Sequence, residues 1–341
     1  MTKITCIGAG TGQANVLSAM LNYKKENDIN IKLTGVVGVT DSGGHSGSLK
    51  SEYNIPQVGD YRNCLENCIQ DHDVLKTLFS HRFTGNNDHS NKGKSLGNLV
   101  LLGLIQHYGS LKDVAIELNS CFFPDGRLKV LPVSDENVEV IAQYEDGTNT
   151  IGEWEIITSN KTQPISSIEH SPKARALNVV LEEIAESDYL IICPGSFYTG
   201  IISCLTFGGI KEALNSSNAK VIYVANIITQ KGNCTSTKLS KYLSVLSKTL
   251  GKDVDITFVN DGKLQNFIKN ENFYHDEKLI VVDNECANFK TQIIKKNFVK
   301  FDVLKEKKIS MNRESGSYPA GKHWIRHEKK SIAKEIFRVI M

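Results

Sequence analysis

A short apolar run near the start of the chain breaks into a glycine-rich turn, and an amphipathic segment follows. Gly8, Gly10 and Gly12 fall within five positions after residues 4–7, and apolar residues then recur at helical spacing. Glycine tolerates positive φ and lets the backbone approach an anion closely. A helix start adds unpaired N–H groups and a positive dipole end. This order of strand, turn and helix predicts an α/β fold that begins with an anion-binding loop, to which Thr11 adds a hydroxyl donor.

The spacing of this turn differs from the dinucleotide fingerprint. Gln13 occupies the position where that fingerprint has its last glycine, and no acidic residue clearly ends the second strand to hold a ribose. The alternative interpretation is a tight turn without a ligand. An oxidoreductase that uses NAD is disfavoured, and we expect no redox cofactor.

Three further polar turns follow apolar, strand-like runs. Their candidate ligand-binding residues are Thr40, Asp41, Ser42, Gly43, Gly44 and Ser46 after the second strand, Gly195, Ser196, Tyr198 and Thr199 after a later one, and Asn226, Thr229 and Gln230 after the next. In a doubly wound sheet such turns gather at one edge, around the topological switch point. Together with Gly8, Gly10, Thr11 and Gly12, they predict a site for a phosphate-bearing ligand, a nucleotide or nucleotide-sugar.

Two apparent helix starts carry further candidate residues. Asp60, Arg62 and Asn63 open one helix, and Asn98 lies in the first turn of another. Asp60 has the chemistry of an N-cap, which is its alternative role. A carboxylate beside a bound phosphate normally implies a divalent cation, so Asp41 and Asp60 are candidate ligands for Mg²⁺.

The rest of the chain is read as one domain over residues 1–341. A β-rich insertion with alternating polarity is expected over about 128–157, and a docking helix over about 327–340. The basic stretch 305–325 is interpreted as a solvated surface segment. The predicted fold class is α/β, with a Rossmann-like doubly wound, mostly parallel sheet and a small antiparallel β insertion. That insertion also offers a surface for pairing subunits, so we expect a homo-dimer.

Composition narrows the function classes. The net charge is only +2, so no global charge drives binding to nucleic acid. No apolar run reaches the roughly 18–20 residues of a membrane span, and the start of the chain lacks the pattern of a signal peptide. The eight cysteines are scattered singly, which fits a reducing compartment and gives no zinc spacing. We therefore expect a cytoplasmic protein without a membrane or nucleic-acid partner.

The order of the motifs resembles the CofD/YvcK-like family, which comprises 2-phospho-L-lactate transferases and bacterial gluconeogenesis factors (UPF0052-type proteins). The matching stretches cover about residues 4–340 and are Ile7-Gly8-Ala9-Gly10-Thr11-Gly12, Val39-Thr40-Asp41-Ser42-Gly43-Gly44-His45-Ser46-Gly47-Ser48-Leu49, Gly59-Asp60-Tyr61-Arg62-Asn63-Cys64-Leu65, Ser95-Leu96-Gly97-Asn98-Leu99, Pro194-Gly195-Ser196-Phe197-Tyr198-Thr199 and Tyr223-Val224-Ala225-Asn226-Ile227-Ile228-Thr229-Gln230-Lys231-Gly232. The glycine-histidine-serine loop and the Thr-Gln turn are closer to the gluconeogenesis-factor branch.

The resemblance implies two functions. The gluconeogenesis-factor branch implies a regulatory protein that binds a UDP-sugar and supports carbon metabolism and cell shape. The transferase branch implies an Mg²⁺-dependent enzyme acting on a guanylylated donor, with Asp41 and Asp60 as catalytic metal ligands and Arg62 and Lys94 stabilising charge. The first is favoured, because Ser46, Ser196 and Cys234 each lack a histidine at the spacing of a known nucleophile motif.

Overall fold

The structure is a computed structural model that describes residues 1–69, 72–85, 90–159, 161–261, 278–299 and 325–341. The basic stretch predicted as a surface segment lies, except for residue 325, outside the described residues. The apolar content of residues 298–303 predicts a weak strand, and residues 300–303 of it also lie outside the described residues.

Ten strands form two sheets in the described part of the chain. The strands are β1 (Thr2–Gly8), β2 (Ile31–Val37), β3 (Lys129–Pro132), β4 (Glu139–Tyr144), β5 (Asn149–Ile151), β6 (Ile165–Ser171), β7 (Tyr189–Ile192), β8 (Lys220–Val224), β9 (Ile256–Asn260) and β10 (Gln292–Lys296). Seven of them make a wholly parallel sheet in the order β10-β9-β8-β7-β1-β2-β3. The predicted Rossmann-like α/β architecture is therefore confirmed.

Strand β1 occupies the position where the strand order reverses. The chain winds from β1 through β2 to β3 on one side, then returns to place β7 on the other side of β1. Residues 4–8 of β1 are all buried, as expected for a parallel strand that is covered on both faces. The crevice at the carboxyl ends of β1 and β7 is the switch point at which such sheets bind ligands.

The described helices cover the two faces of the large sheet. They are α1 (Gly10–Glu26), α2 (Gly44–Tyr53), α3 (Gly59–Cys68), α4 (Asp73–Ser80), α5 (Leu96–Tyr108), α6 (Leu111–Phe122), α7 (Glu153–Thr158), α8 (Asn178–Ala185), α9 (Ile210–Ser216), α10 (Leu239–Leu250) and α11 (Lys329–Ile340), with a π-helical turn over Phe197–Ile202. Helix α1 packs against both α3 and α11. Tyr23 and Phe337 stack there with ring centroids 5.0 Å apart. No helix within the described ranges is long and apolar enough to span a bilayer.

The small sheet is antiparallel, in the order β5-β4-β6, and β4 shows the expected alternation of buried and half-buried residues. Three details differ from the sequence prediction. The strand expected over 150–157 ends at Ile151, because Gly152 turns the chain with a φ of +96° and α7 follows. The predicted strand at 128–133 pairs with β2 in the large sheet. Strand β6, which was not predicted, completes the small sheet.

Several predicted boundaries also move. The apolar run 33–40 predicts the second strand, but β2 ends at Val37, so residues 38–40 already belong to the turn. The sequence pattern predicts helices over 173–186 and 235–250, and in the structure these begin later, at Asn178 and Leu239. Leu279 and Val281 make only isolated bridges, because their partners, Ile228 and Lys238, lie in loop segments.

Gly12 provides a test of how tightly the switch point is packed. An added Cβ at Gly12 would lie 2.1 Å from the Pro194 carbonyl oxygen, whereas one at Gly103, on the exposed side of α5, meets nothing within 4 Å. We expect Gly12→Ala to lower the free energy of unfolding by about 1–3 kcal/mol through overpacking. The control, Gly103→Ala, should raise it by about 0.5–1 kcal/mol. Urea unfolding measures both, and equal stability of the two variants would contradict the packing described.

Candidate functional site

The loop between β1 and α1 closes against the protein on one side and is open on the other. Gly10 has a φ of +71°, and Ala9 supplies no side-chain cap to α1. The Gly10 amide donates to the Asp60 carboxylate. Among the described residues, the Thr11 hydroxyl makes no hydrogen bond, and Thr11 is half-buried. The positive end of the α1 dipole and the Thr11 hydroxyl therefore remain available to an anion.

Gln13 explains why the glycine spacing departs from the dinucleotide fingerprint. Its side chain is fully buried, and its amide donates to the Cys6 carbonyl at 3.2 Å and to the Val36 carbonyl at 2.7 Å. It thus joins the ends of β1 and β2 beneath the loop. A glycine at this position would leave those carbonyls without their partner, so Gln13 is structural.

The loop after β2 is held by contacts with distant segments. The Thr40 hydroxyl donates to the Thr199 carbonyl at 3.3 Å and lies 3.1 Å from Ser203 Oγ. Ser42 Oγ accepts from the Trp154 amide at 2.9 Å, at the start of α7. These bonds tie the loop to the π-helical turn on one side and to the small sheet on the other.

The side chain of Gln57 connects Asp41 and Asp60. The Gln57 amide donates to Asp41 Oδ2 at 3.0 Å, while its carbonyl oxygen accepts from the Asp60 backbone amide at 3.3 Å. Asp41 Oδ1 also accepts from the Gly43 amide at 2.9 Å. Gln57 further donates to Ser46 Oγ at 3.2 Å. The structure therefore brings together the two carboxylates that the sequence singled out.

Both carboxylates have raised pKa values. Burial raises the pKa of Asp60 to about 7, and the negative charge of Asp41 adds to the rise. Burial also raises the pKa of Asp41, although the Gly43 amide and hydrogen bonds from Glu153 and Gln57 oppose that rise. Two adjacent carboxylates with raised pKa values are a recognised arrangement for sharing a proton or a cation.

The predicted residues of α3 are engaged within the protein. Arg62 donates through Nη1 to Glu66 and to the Phe79 carbonyl at 2.9 Å. Asn63 Oδ1 accepts from Asn67, one helical turn further along. The bond from Arg62 to Phe79 holds α3 to α4. Arg62 Nε is buried without a hydrogen-bond partner among the described residues, and the ligand contacts expected of Arg62 and Asn63 stay predictions.

The two later turns interlock. The Asn226 amide donates to the Gly195 carbonyl at 2.6 Å, and the Gln230 amide donates to Ser196 Oγ at 3.2 Å. Asn233 accepts from the Tyr198 backbone amide at 2.6 Å and donates to Thr199 Oγ1 at 3.0 Å. Thr229 faces elsewhere and exchanges two hydrogen bonds with the Lys278 backbone.

Close backbone contacts join the turns into one rim. Besides the contact between Gly12 and Pro194, a Cβ at Gly195 would lie 2.8 Å from the Ala9 carbonyl oxygen, and one at Gly38 would lie 3.1 Å from Ala9 Cβ. The four predicted turns therefore meet at the carboxyl ends of β1, β2, β7 and β8, as the topology requires.

Sequence reasoning missed Gln57, Asn233 and His45, which organise this rim. Gln57 and Asn233 are buried polar residues that lie just outside two of the matching motifs, two residues before Gly59 and directly after Gly232, and that proximity was the available signal. His45 is half-buried, and its Nδ1 accepts from the Ser95 amide at 3.0 Å. Burial, together with the positive charges of Lys94, Arg82 and Arg62, lowers the pKa of His45 to about 4.

Comparison with known proteins agrees with this architecture. The family model described as 2-phospho-L-lactate transferase CofD matches residues 4–299. A candidate gluconeogenesis factor from Thermotoga maritima is 35% identical over 87% of this chain and 90% of its own. The gluconeogenesis factor of Halalkalibacterium halodurans is 32% identical over 82% of this chain and 84% of its own.

A solved structure shares the fold over nearly the whole length. The crystal structure of a UPF0052 family member from Bacillus halodurans has a TM-score of 0.84 and 27% sequence identity, and 98% of each chain is covered. The chain therefore belongs to the CofD family, together with the gluconeogenesis factors that it resembles.

Proposed function

We propose that this protein binds a nucleotide-sugar, a UDP-sugar, and acts as a regulatory protein of the gluconeogenesis-factor type that supports carbon metabolism and cell shape. The observation that carries the proposal is the meeting of four glycine-rich turns at the switch point of the sheet. Open α/β sheets bind phosphate-bearing ligands at this position. The names of the relatives, which are gluconeogenesis factors, support the role in carbon metabolism.

The chemistry around the rim favours binding over turnover. His170 Nε2 lies 3.0 Å from Ser203 Oγ, which is the geometry of a nucleophile with its base. Both side chains are buried, and Ser203 also contacts Thr40. Burial lowers the pKa of His170 to about 4. This pair therefore braces the Thr40 loop and has no access to a bound ligand.

Thr11 is the sharpest test of phosphate binding. We expect Thr11→Val to weaken UDP-sugar binding about tenfold, because it removes a hydroxyl bond to a charged phosphate while keeping the side-chain shape. Thr249→Val removes a hydroxyl that bonds within α10, and should leave the affinity unchanged. Calorimetric titration with UDP-glucose at physiological salt measures both. The proposal fails if neither UDP-sugars nor other nucleotides bind the unmodified protein.

A second candidate function rests on the Asp41–Asp60 pair. Two carboxylates suffice for Mg²⁺ when substrate phosphates and water supply the remaining oxygens. In the described ranges no cluster of three or more His, Cys, Asp or Glu side chains has metal-binding geometry, so the protein would supply only part of the coordination. When bound, the cation would neutralise charge on a diphosphate leaving group. Asp41 and Asp60 would hold it, and the Gly10 amide would orient Asp60.

This alternative predicts a phosphorus-transferring enzyme of the CofD type. A panel of phospho-lactate and GTP with a deazaflavin acceptor should then yield product, and Asp41→Asn should abolish both product and Mg²⁺ binding. Asp125→Asn, on an exposed turn, serves as the control and should alter neither. Absence of product with the unmodified protein would remove this candidate.

The raised pKa of Asp60 gives a prediction that does not need a ligand. Because it rises from 3.8 to about 7, the folded chain holds a proton between these values that the unfolded chain releases. Stability from this group therefore falls as pH rises from about 4 to about 7. We expect Asp60→Asn to raise the melting temperature at about pH 8 and to have little effect at about pH 4. Asp125→Asn should change the melting temperature at neither pH. An unchanged melting temperature for Asp60→Asn at about pH 8 would refute the link between the raised pKa of Asp60 and stability.

The remaining sequence predictions stay predictions. These are the homo-dimer, the cytoplasmic location, and the absence of nucleic-acid, membrane and redox-cofactor partners. Mg²⁺ is proposed only as far as the Asp41–Asp60 pair supports it.

A further inference from the structure

His45 is locked into one tautomer at the mouth of the site. A backbone amide only donates, so the bond from the Ser95 amide at 3.0 Å requires an unprotonated Nδ1 on His45. A neutral imidazole then carries its hydrogen on Nε2. Because its pKa lies near 4, the ring is neutral at physiological pH. His45 therefore presents a fixed N–H donor from the first turn of α2, directly after Gly43 and Gly44.

Positive charge converges on this donor. Lys94, Arg82 and Arg62 each act on the His45 ring, Lys94 most strongly. Arg62 is neutralised by Glu66, with which it pairs along α3. None of the ion pairs among the described residues includes Lys94, which is half-buried directly before the start of α5. Like charges gathered around a neutral donor form an environment that favours an anion.

A buried acceptor lies on the same helix start. Ser95 caps α5 by accepting from the Asn98 backbone amide at 3.4 Å. The side chain of Asn98 is 3% exposed, and its carbonyl oxygen has no hydrogen-bond partner within the part of the chain that the structure describes. A buried carbonyl without a donor is costly, and a ligand hydroxyl would remove that cost.

We propose that His45, Lys94 and Asn98 form a second ligand subsite, which binds an acid group that carries a neighbouring hydroxyl. His45 Nε2–H and the Lys94 ammonium bind the acid, and the Asn98 carbonyl oxygen accepts from the hydroxyl. This inference rests on the proposed function, because the subsite adjoins the phosphate-binding turns. It narrows the ligand to a nucleoside diphosphate joined to a hydroxylated acid, such as a uronic acid.

Two nucleotide-sugars that differ at one carbon provide the test. UDP-glucuronate carries a carboxylate where UDP-glucose carries a primary alcohol. Calorimetry on the full chain should show UDP-glucuronate binding about tenfold more tightly, since a charge-assisted hydrogen bond is stronger than a neutral one. Lys94→Met should reduce that preference to about one. The matched control is Lys92→Met, which removes an exposed lysine from the same segment and should keep the preference.

The Asn98 contact has its own variant. Asn98→Leu should weaken the binding of both UDP-sugars by a similar factor, because both ligands carry the sugar hydroxyls. Lys94→Met should weaken the binding of UDP-glucuronate alone. A circular-dichroism melt establishes that each variant is folded. If Asn98→Leu does not fold, Lys94→Met and Lys92→Met still decide the question.

Inorganic phosphate separates failure of the subsite from failure of the proposed function. Nitrogen-15 NMR of the His45 ring, with and without phosphate, should show a shift in the unmodified protein and none in Lys94→Met. If both UDP-sugars bind equally well and phosphate leaves His45 unmoved, the subsite is wrong and the nucleotide proposal stands. If phosphate moves His45 but no UDP-sugar binds, the subsite stands for a different acid and the nucleotide proposal is wrong. If neither is seen, both are overturned.

Discussion

The site depends on the close approach of two backbones at the switch point. The start of α1 reaches the segment after β7 so closely that only hydrogen fits at the Cα of Gly12, where a Cβ would meet the Pro194 carbonyl oxygen at 2.1 Å. This contact is possible because β1 pairs in parallel with β2 on one side and with β7 on the other. Every other turn of the rim is fixed relative to these two.

The packing that brings the turns together also brings two negatively charged side chains together. Asp41 lies in the loop after β2 and Asp60 in the first turn of α3, and Gln57 bonds the carboxylate of the first and the backbone amide of the second. Bringing two carboxylates together in a partly buried site costs free energy, and the raised pKa of Asp60 reflects that cost. The Gly10 amide offsets part of it, so the loop between β1 and α1 is physically linked to the acidic pair. In the first turn of α2, His45 is kept neutral by burial and by nearby cations.

A large part of the fold could be predicted because it is encoded locally. Buried runs such as residues 189–192 indicate parallel strands, and polar, glycine-rich segments mark their carboxyl ends. Errors occurred where local pattern and tertiary pairing disagree. Residues 153–158 have an apolar content that suits a strand, but Gly152 redirects the chain and the segment folds as a helix. Strand β6 was missed because only its pairing with β4 makes it a strand.

Within the site, the sequence by itself determined which residue types stand at the strand ends: glycines for close approach, hydroxyls and amides for polar contacts, and the aspartates at 41 and 60. Only the tertiary structure decided what each one does. Gln13 connects two strands by hydrogen bonds, Arg62 forms an ion pair with Glu66, and Thr229 bonds the Lys278 backbone. The physical reason is that hydrogen-bond partners, burial and electric field at these residues come from segments distant in the chain. Residue type and spacing are fixed before folding, whereas pKa, tautomer and accessibility exist only after it.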